Sequence, residues 1–190
     1  MITRTTPLFD VNGHKTTIAT VAGAASYSGA ALNGADVANN IGAAAHGFGF
    51  LPSATLAANA SSYVDQSTIT WTGTYHGVAT TRTGTIVGTD GGTTVTADGP
   101  LDTVTQIDIE AQADTNGAFE FGWVGAYPPK RPGTDRTWHI RRVVGNAAGN
   151  IVVGYGSHDD TLVSGANQAH DVTPLHVVST TCSSVTIYYE

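Results

Sequence analysis

Between residues 67 and 123 several short runs, joined by glycine turns, alternate apolar and polar side chains, and that period of two leaves few folds open. The run Ser67-Thr-Ile-Thr-Trp-Thr-Gly73 sets Ile69 and Trp71 on one face and Thr68, Thr70 and Thr72 on the other, the pattern of a half-buried strand. Asp90-Gly91-Gly92 separates a strand expected over 83–89 from one over 93–97. Such pairs supply the positive φ angles that a tight hairpin needs. Ile107 and Ile109 then face away from Asp108, and Phe119, Phe121 and Trp123 alternate with Glu120 and Gly122. The reading is an all-β fold, either an antiparallel β-sandwich or two packed small β-sheets.

The flanks fit the same class. Residues 16–21 read as a short strand or an exposed arm. The Ala/Gly-rich stretch 22–51 has room for a brief helix over 36–45, which Gly42 weakens, or for a loop laid over a partner. Phe48 and Phe50 are its apolar anchors and Pro52 is expected to end it. In 137–144, Trp138 and Ile140 share a face with Arg142 and Val144; Ile151, Val153 and Tyr155 are in step, as are Val185, Ile187 and Tyr189. Residues 156–170 read as a polar loop. The expected organisation is an N-terminal arm or β segment over 1–52, a Thr-rich β region over 53–125, a Pro-rich linker over 126–135, and C-terminal strands over 136–190. These last strands pack on the same core or form a second small sheet.

Composition narrows the function classes. Charged residues make up 12 % of the chain and the net charge is −7, a balance that argues against nucleic acid as a direct partner. Cys182 is the single cysteine, so no internal disulfide forms, and a small buried side chain is expected there. No signal peptide is visible and no apolar run approaches membrane-spanning length.

The seven histidines are the side chains best suited to carry chemistry. His158, Asp159, Asp160, His170 and Asp171 are candidate ligands for a divalent cation, all placed in one polar loop. Their spacing matches neither a helical His pair nor an EF-hand, so no metal and no cofactor is assigned. Gly156-Ser157-His158 is not a nucleophile elbow. Glu110, Asp114 and Glu120 read as strand-end charges rather than paired catalytic carboxylates. No catalytic residue is assigned, and the chain is read as a non-enzyme. Lys130, Arg131, Arg136, Arg141 and Arg142 gather most of the basic residues in one region. They are candidates for docking an acidic neighbour, with ordinary strand-end charge as the competing reading. Phe48 and Phe50 join them as partner-binding candidates.

Four segments occur in order: Thr68-Ile-Thr-Trp-Thr-Gly-Thr74, Gly88-Thr-Asp-Gly-Gly92, Thr94-Val-Thr-Ala-Asp-Gly-Pro100 and Val104-Thr-Gln-Ile107. Together they resemble a pattern of small β-rich virion structural proteins of tailed bacteriophages. Leu32-Asn33-Gly34 and the closing Ser184-Val-Thr-Ile-Tyr-Tyr189 are similar to that family as well. About half of the chain takes part; the middle turn is shortened and 128–135 has no counterpart. The resemblance implies a structural protein of the virion, a capsid decoration protein first and a tail- or fibre-associated one second. It implies the major capsid protein or other virion proteins as partners, no membrane, and self-association with a trimer favoured. A different class, a carbohydrate-binding module or β-fold hydrolase, would use Trp71, Trp123 and Trp138 as a sugar platform.

Overall fold

The computed structural model of the chain describes residues 1–7, 10–19, 24–28, 48–56, 66–87, 93–110 and 118–190. Among them are fifteen strands and no helix, so the chain is all-β, built of antiparallel sheets. The hairpin expected at 90–92 and most of the Ala/Gly stretch, including His46, lie outside the described residues. The chain divides into two compact units, one of Met1–Phe9, Ala45–Phe50 and Val124–Glu190, the other of Asp10–Ala44 and Leu51–Trp123.

The second of these units carries the Thr-rich run. Strands β1 (Ile2–Pro7), β2 (Asp10–Ala19), β3 (Ala25–Ser28) and β4 (Gly49–Leu56) open the chain, followed by β5 (Gln66–Tyr75), β6 (Val78–Val87), β7 (Thr94–Thr96), β8 (Thr103–Ile109) and β9 (Ala118–Tyr127). Four of them form a sheet in the order β3-β8-β5-β6. β5 and β6 pair over their full length, from Gln66↔Val87 to Tyr75↔Val78. The two-residue turn between them is His76-Gly77, with φ of 52° and 79°. Positive φ at both positions is the turn whose twist matches the flanking strands. The Asp102 carboxylate accepts the His76 N–H. Burial pushes that carboxyl above its usual range, and the hydrogen bond from the turn opposes the shift.

The alternation resolves as expected here. Ile69, Trp71, Ile107 and Ile109 are buried on the inner face of this sheet. Phe119, Phe121 and Trp123 are buried as well, with the two phenylalanine rings 6.3 Å apart. β4 pairs β7 with Ser53 opposite Thr96, and β2 pairs β9. One boundary is corrected. β4 runs through Pro52 instead of stopping there, and Pro52 is itself buried. Proline lacks only the donor of a ladder bond; its carbonyl still accepts the Ala97 N–H at 2.8 Å.

The other unit holds the C-terminal strands β10 (Ile140–Gly145), β11 (Gly149–Gly154), β12 (Asp159–Ser164), β13 (Ala169–His170), β14 (His176–Thr180) and β15 (Ser184–Tyr189). One sheet runs β1-β15-β10-β13. In another, β11 lies between β12 and β14, and β14 meets β9 at Val177↔Ala126. Val185, Ile187 and Tyr189 are buried together as their phase requires, and Cys182 is fully buried. Two expectations fail. Residues 156–170 are not a loop throughout, because β12 and β13 lie within them. In β10 the register shifts between Ile140 and Arg142. That irregularity resets the phase, so Val143 rather than Arg142 shares the buried side with Ile140. Trp138 precedes β10, and the expected linker 126–135 begins inside β9.

Candidate interaction site

The five basic residues do come close in sequence and lie in one unit, yet most are occupied. Residues 130–137 form a loop closed by a Lys130↔Thr137 bridge. The Lys130 Nζ sits 3.0 Å from Asp135. The Arg131 guanidinium lies over the ring of the half-buried Trp138, 4.6 Å from its centroid, a cation–π contact. On β10, Arg141 pairs with Glu190 at 3.2 Å and Arg142 with Asp171. The hydrogen bond to Arg142 holds the Asp171 carboxyl below its usual range, and the same bond raises the Arg142 guanidinium. Asp135, Asp171 and Glu190 thus cancel much of the positive patch. The carboxylates of Asp171 and Glu190 arrive from other parts of the chain, which is why sequence clustering overstated the field. Arg136 is exposed. The loop's own residues, Lys130 to Asp135, line a shallow hollow of about 360 Å³. A second hollow, about 220 Å³, is lined by Met1, Arg141, Arg142, Asp171 and Tyr188.

Phe48 and Phe50 are 2 % and 0 % exposed. They are core residues and present no surface to a partner. The five candidate cation ligands do not meet. His158 stacks on Tyr155 with centroids 5.2 Å apart, and its Nε2 is 3.8 Å from Asp160. Asp159 opens β12 opposite Gly154. His170 instead lies on β13, opposite Val143, and Asp171 is engaged by Arg142. Among the described residues no three histidines, cysteines or carboxylates come together to hold a metal. Trp71 and Trp123 are fully buried, so a sugar platform cannot be built on them.

Two further surface features stand out; sequence reasoning missed the first and saw only the β5 threonines of the second. His176 stacks face to face on Tyr127, at 4.5 Å and 7°. Burial lowers the His176 pKa, and the nearby Asp159 charge opposes the shift. A histidine with a lowered folded-state pKa contributes stability that is present above its ordinary range and lost as pH falls through the folded value. The full chain's stability to urea is therefore expected to fall as the pH drops from neutral through and below the ordinary histidine range. His176→Phe keeps the stack and cannot protonate, so it should flatten that dependence, read as a smaller shift of the denaturation midpoint with pH.

The other feature is the outward face of the sheet β3-β8-β5-β6. Thr68 lies opposite Thr85, Thr70 opposite Thr83, and Thr72 opposite Thr81. Asp108 and Gln106 on β8 continue the rows of Thr70 and Thr72, and Ser26 and Ser28 on β3 complete them. The Gln106 amide donates to both Asp108 oxygens, at 2.8 and 2.9 Å. Thr81, Thr83, Thr85, Ser26 and Ser28 are exposed. This is a four-stranded polar face, with short hydroxyl side chains on β3, β5 and β6 and an amide and a carboxylate on β8. No family model, no curated protein and no solved structure matches the chain.

Proposed function

We propose that this chain is a structural, non-enzymatic component of a tailed-phage virion, a capsid decoration protein that stabilises the head through protein–protein contacts. The hydroxyl face of the sheet β3-β8-β5-β6 is the observation that carries this reading. The motif with the virion-like pattern, residues 68–74, forms the middle of that face. Threonine is β-branched and short, so little side-chain entropy is lost when another polypeptide covers it. Its hydroxyl both donates and accepts, so it can pair with backbone or side chains of a neighbour. The partners on this reading are the major capsid protein and further copies of the chain, and the place of action is the virion.

Electron microscopy of the assembled particle tests the proposal. The expected result is density for this chain on the head, with the hydroxyl face against a neighbour. Density confined to the tail moves the protein to a tail-associated role, and absence from purified particles overturns the proposal. A biochemical arm uses Thr81→Lys with Thr85→Lys. Both positions are exposed, so stability should move by no more than about 0.5 kcal/mol. Affinity for heads should fall by about tenfold or more, the equivalent of about 1.4 kcal/mol. Co-sedimentation with tailless heads reads this directly.

A further inference from the structure

We propose that β12 is a docking edge for a second copy of this chain, joined strand to strand across a two-fold axis. β12 pairs with β11 on one side, from Gly149↔Ser164 to Gly154↔Asp159. The Tyr155 N–H donates to the His158 carbonyl at 2.9 Å. That bond sets the alternation of the ladder. His158, Asp160, Leu162 and Ser164 direct their backbone groups at β11, while Asp159, Thr161 and Val163 direct theirs the other way. Among the described residues nothing takes up those outward N–H and C=O groups. Asp159, Thr161 and Val163 are all exposed, Val163 at 74 %. An edge of this kind is a template for another strand unless a proline, charged side chains or a bulge blocks it. β12 reads Asp-Asp-Thr-Leu-Val-Ser, with no proline, its two charges confined to its first two residues and its ladder with β11 free of a register shift.

The strand's own sequence points to a second copy, because one register pairs it with itself and keeps its charges apart. An antiparallel copy centred on Asp160 would set that carboxylate against itself, an unfavourable cross-strand pair. Centred on Leu162, the same edge is self-complementary. Leu162 meets Leu162 of the other copy, Thr161 meets Val163, and both strands supply outward donors and acceptors at residues 161 and 163. Each Asp160 then lies opposite Ser164, about 14 Å along the strands from its own counterpart. That exceeds the Debye length of about 10 Å at moderate salt. The axis closes the contact at two copies, so no open fibre grows from it. The inference is independent of the virion reading, and a pairwise contact can link neighbouring rings without replacing the contact that builds a ring. One short strand pair falls at the small end of specific interfaces, so the pair should fill only at high micromolar concentration.

Sedimentation equilibrium of the full chain, from micromolar to near-millimolar concentration, is the test. The expected result is a mass that doubles across the range. Thr161→Pro should abolish the doubling. The Thr161 N–H points away from β11, so this change removes no bond within the chain. Val163→Lys, an exposed substitution with no folding burden, should abolish it as well. Leu162→Cys should give a disulfide-linked pair on mild oxidation, and Ser157→Cys, outside the paired core, should not. A mass that never doubles overturns the proposal. So does a doubling that survives both Thr161→Pro and Val163→Lys.

Discussion

Gly73→Ala is expected to cost about 3 kcal/mol or more, the range reached when a tightly packed site is overfilled and cannot relax. Gly73 sits where the β5–β8 register shifts. A Cβ added there would stand 1.8 Å from the Thr103 carbonyl oxygen, 2.8 Å from its carbon and 3.1 Å from the Val104 Cα. All three are backbone atoms, so no side-chain rotation relieves the clash. The strands must separate. Separation threatens the hydroxyl bond between Thr74 and Thr103 at 2.8 Å and the Asp102 N–H to the Thr74 carbonyl at 2.7 Å. Gly77→Ala is the control. Its φ is +79° but nothing lies within 4 Å of the new methyl, so only the left-handed backbone penalty of about 1–2 kcal/mol applies. Urea denaturation of both variants should rank them in that order. Equal costs would mean that β5 and β8 do not approach each other as described.

Trp71→Ala carries the second large effect, a loss of about 3–5 kcal/mol. The side chain is fully buried on the inner face of the hairpin sheet, between Arg82 on β6 and Ile107 on β8 in the register. Truncation removes the largest apolar contribution of that face and leaves a cavity that a ladder held on both sides cannot collapse. The indole N–H has no hydrogen-bond partner among the described residues. Trp71→Phe deletes that buried orphan donor while keeping much of the volume, so it should cost clearly less than the alanine change. Denaturant midpoints for the pair measure this. A loss as large for phenylalanine as for alanine would show that the indole, not its bulk, is what the core requires.

The sheet interiors were legible because polarity alternated without interruption. Ile69 and Trp71, Ile107 and Ile109, and Val185, Ile187 and Tyr189 were each placed on a buried face by their spacing alone. A strand has a period of two, so an unbroken run determines every side chain in it once one is known. The failures mark places where that period breaks or is hidden. The shift between Ile140 and Arg142 inverted the expected phase of β10. β12 looked like a loop because Asp159 and Asp160 are poor strand formers; its ladder with β11 imposes the strand.

The basic region shows the same limit in electrostatics. Five cations near one another in sequence suggested a strong positive patch, but the Glu190 carboxylate pairs with Arg141 and the Asp171 carboxylate with Arg142. Sequence proximity counts charges; only folding decides which opposite charges stand beside them. Phe48 and Phe50 make the matching point for apolar residues, since an aromatic side chain suits a core or an interface equally and the structure buries both.

What the chain's order of residues settled unaided was the all-β class and the inward faces of its regular strands, because side-chain alternation is a local property of extended backbone. What awaited the tertiary structure was the row of threonines meeting across β5 and β6, the outer edge of β12, unpaired among the described residues, and the neutralised arginines. Each of these depends on which distant segments become neighbours, and a local period carries no information about that.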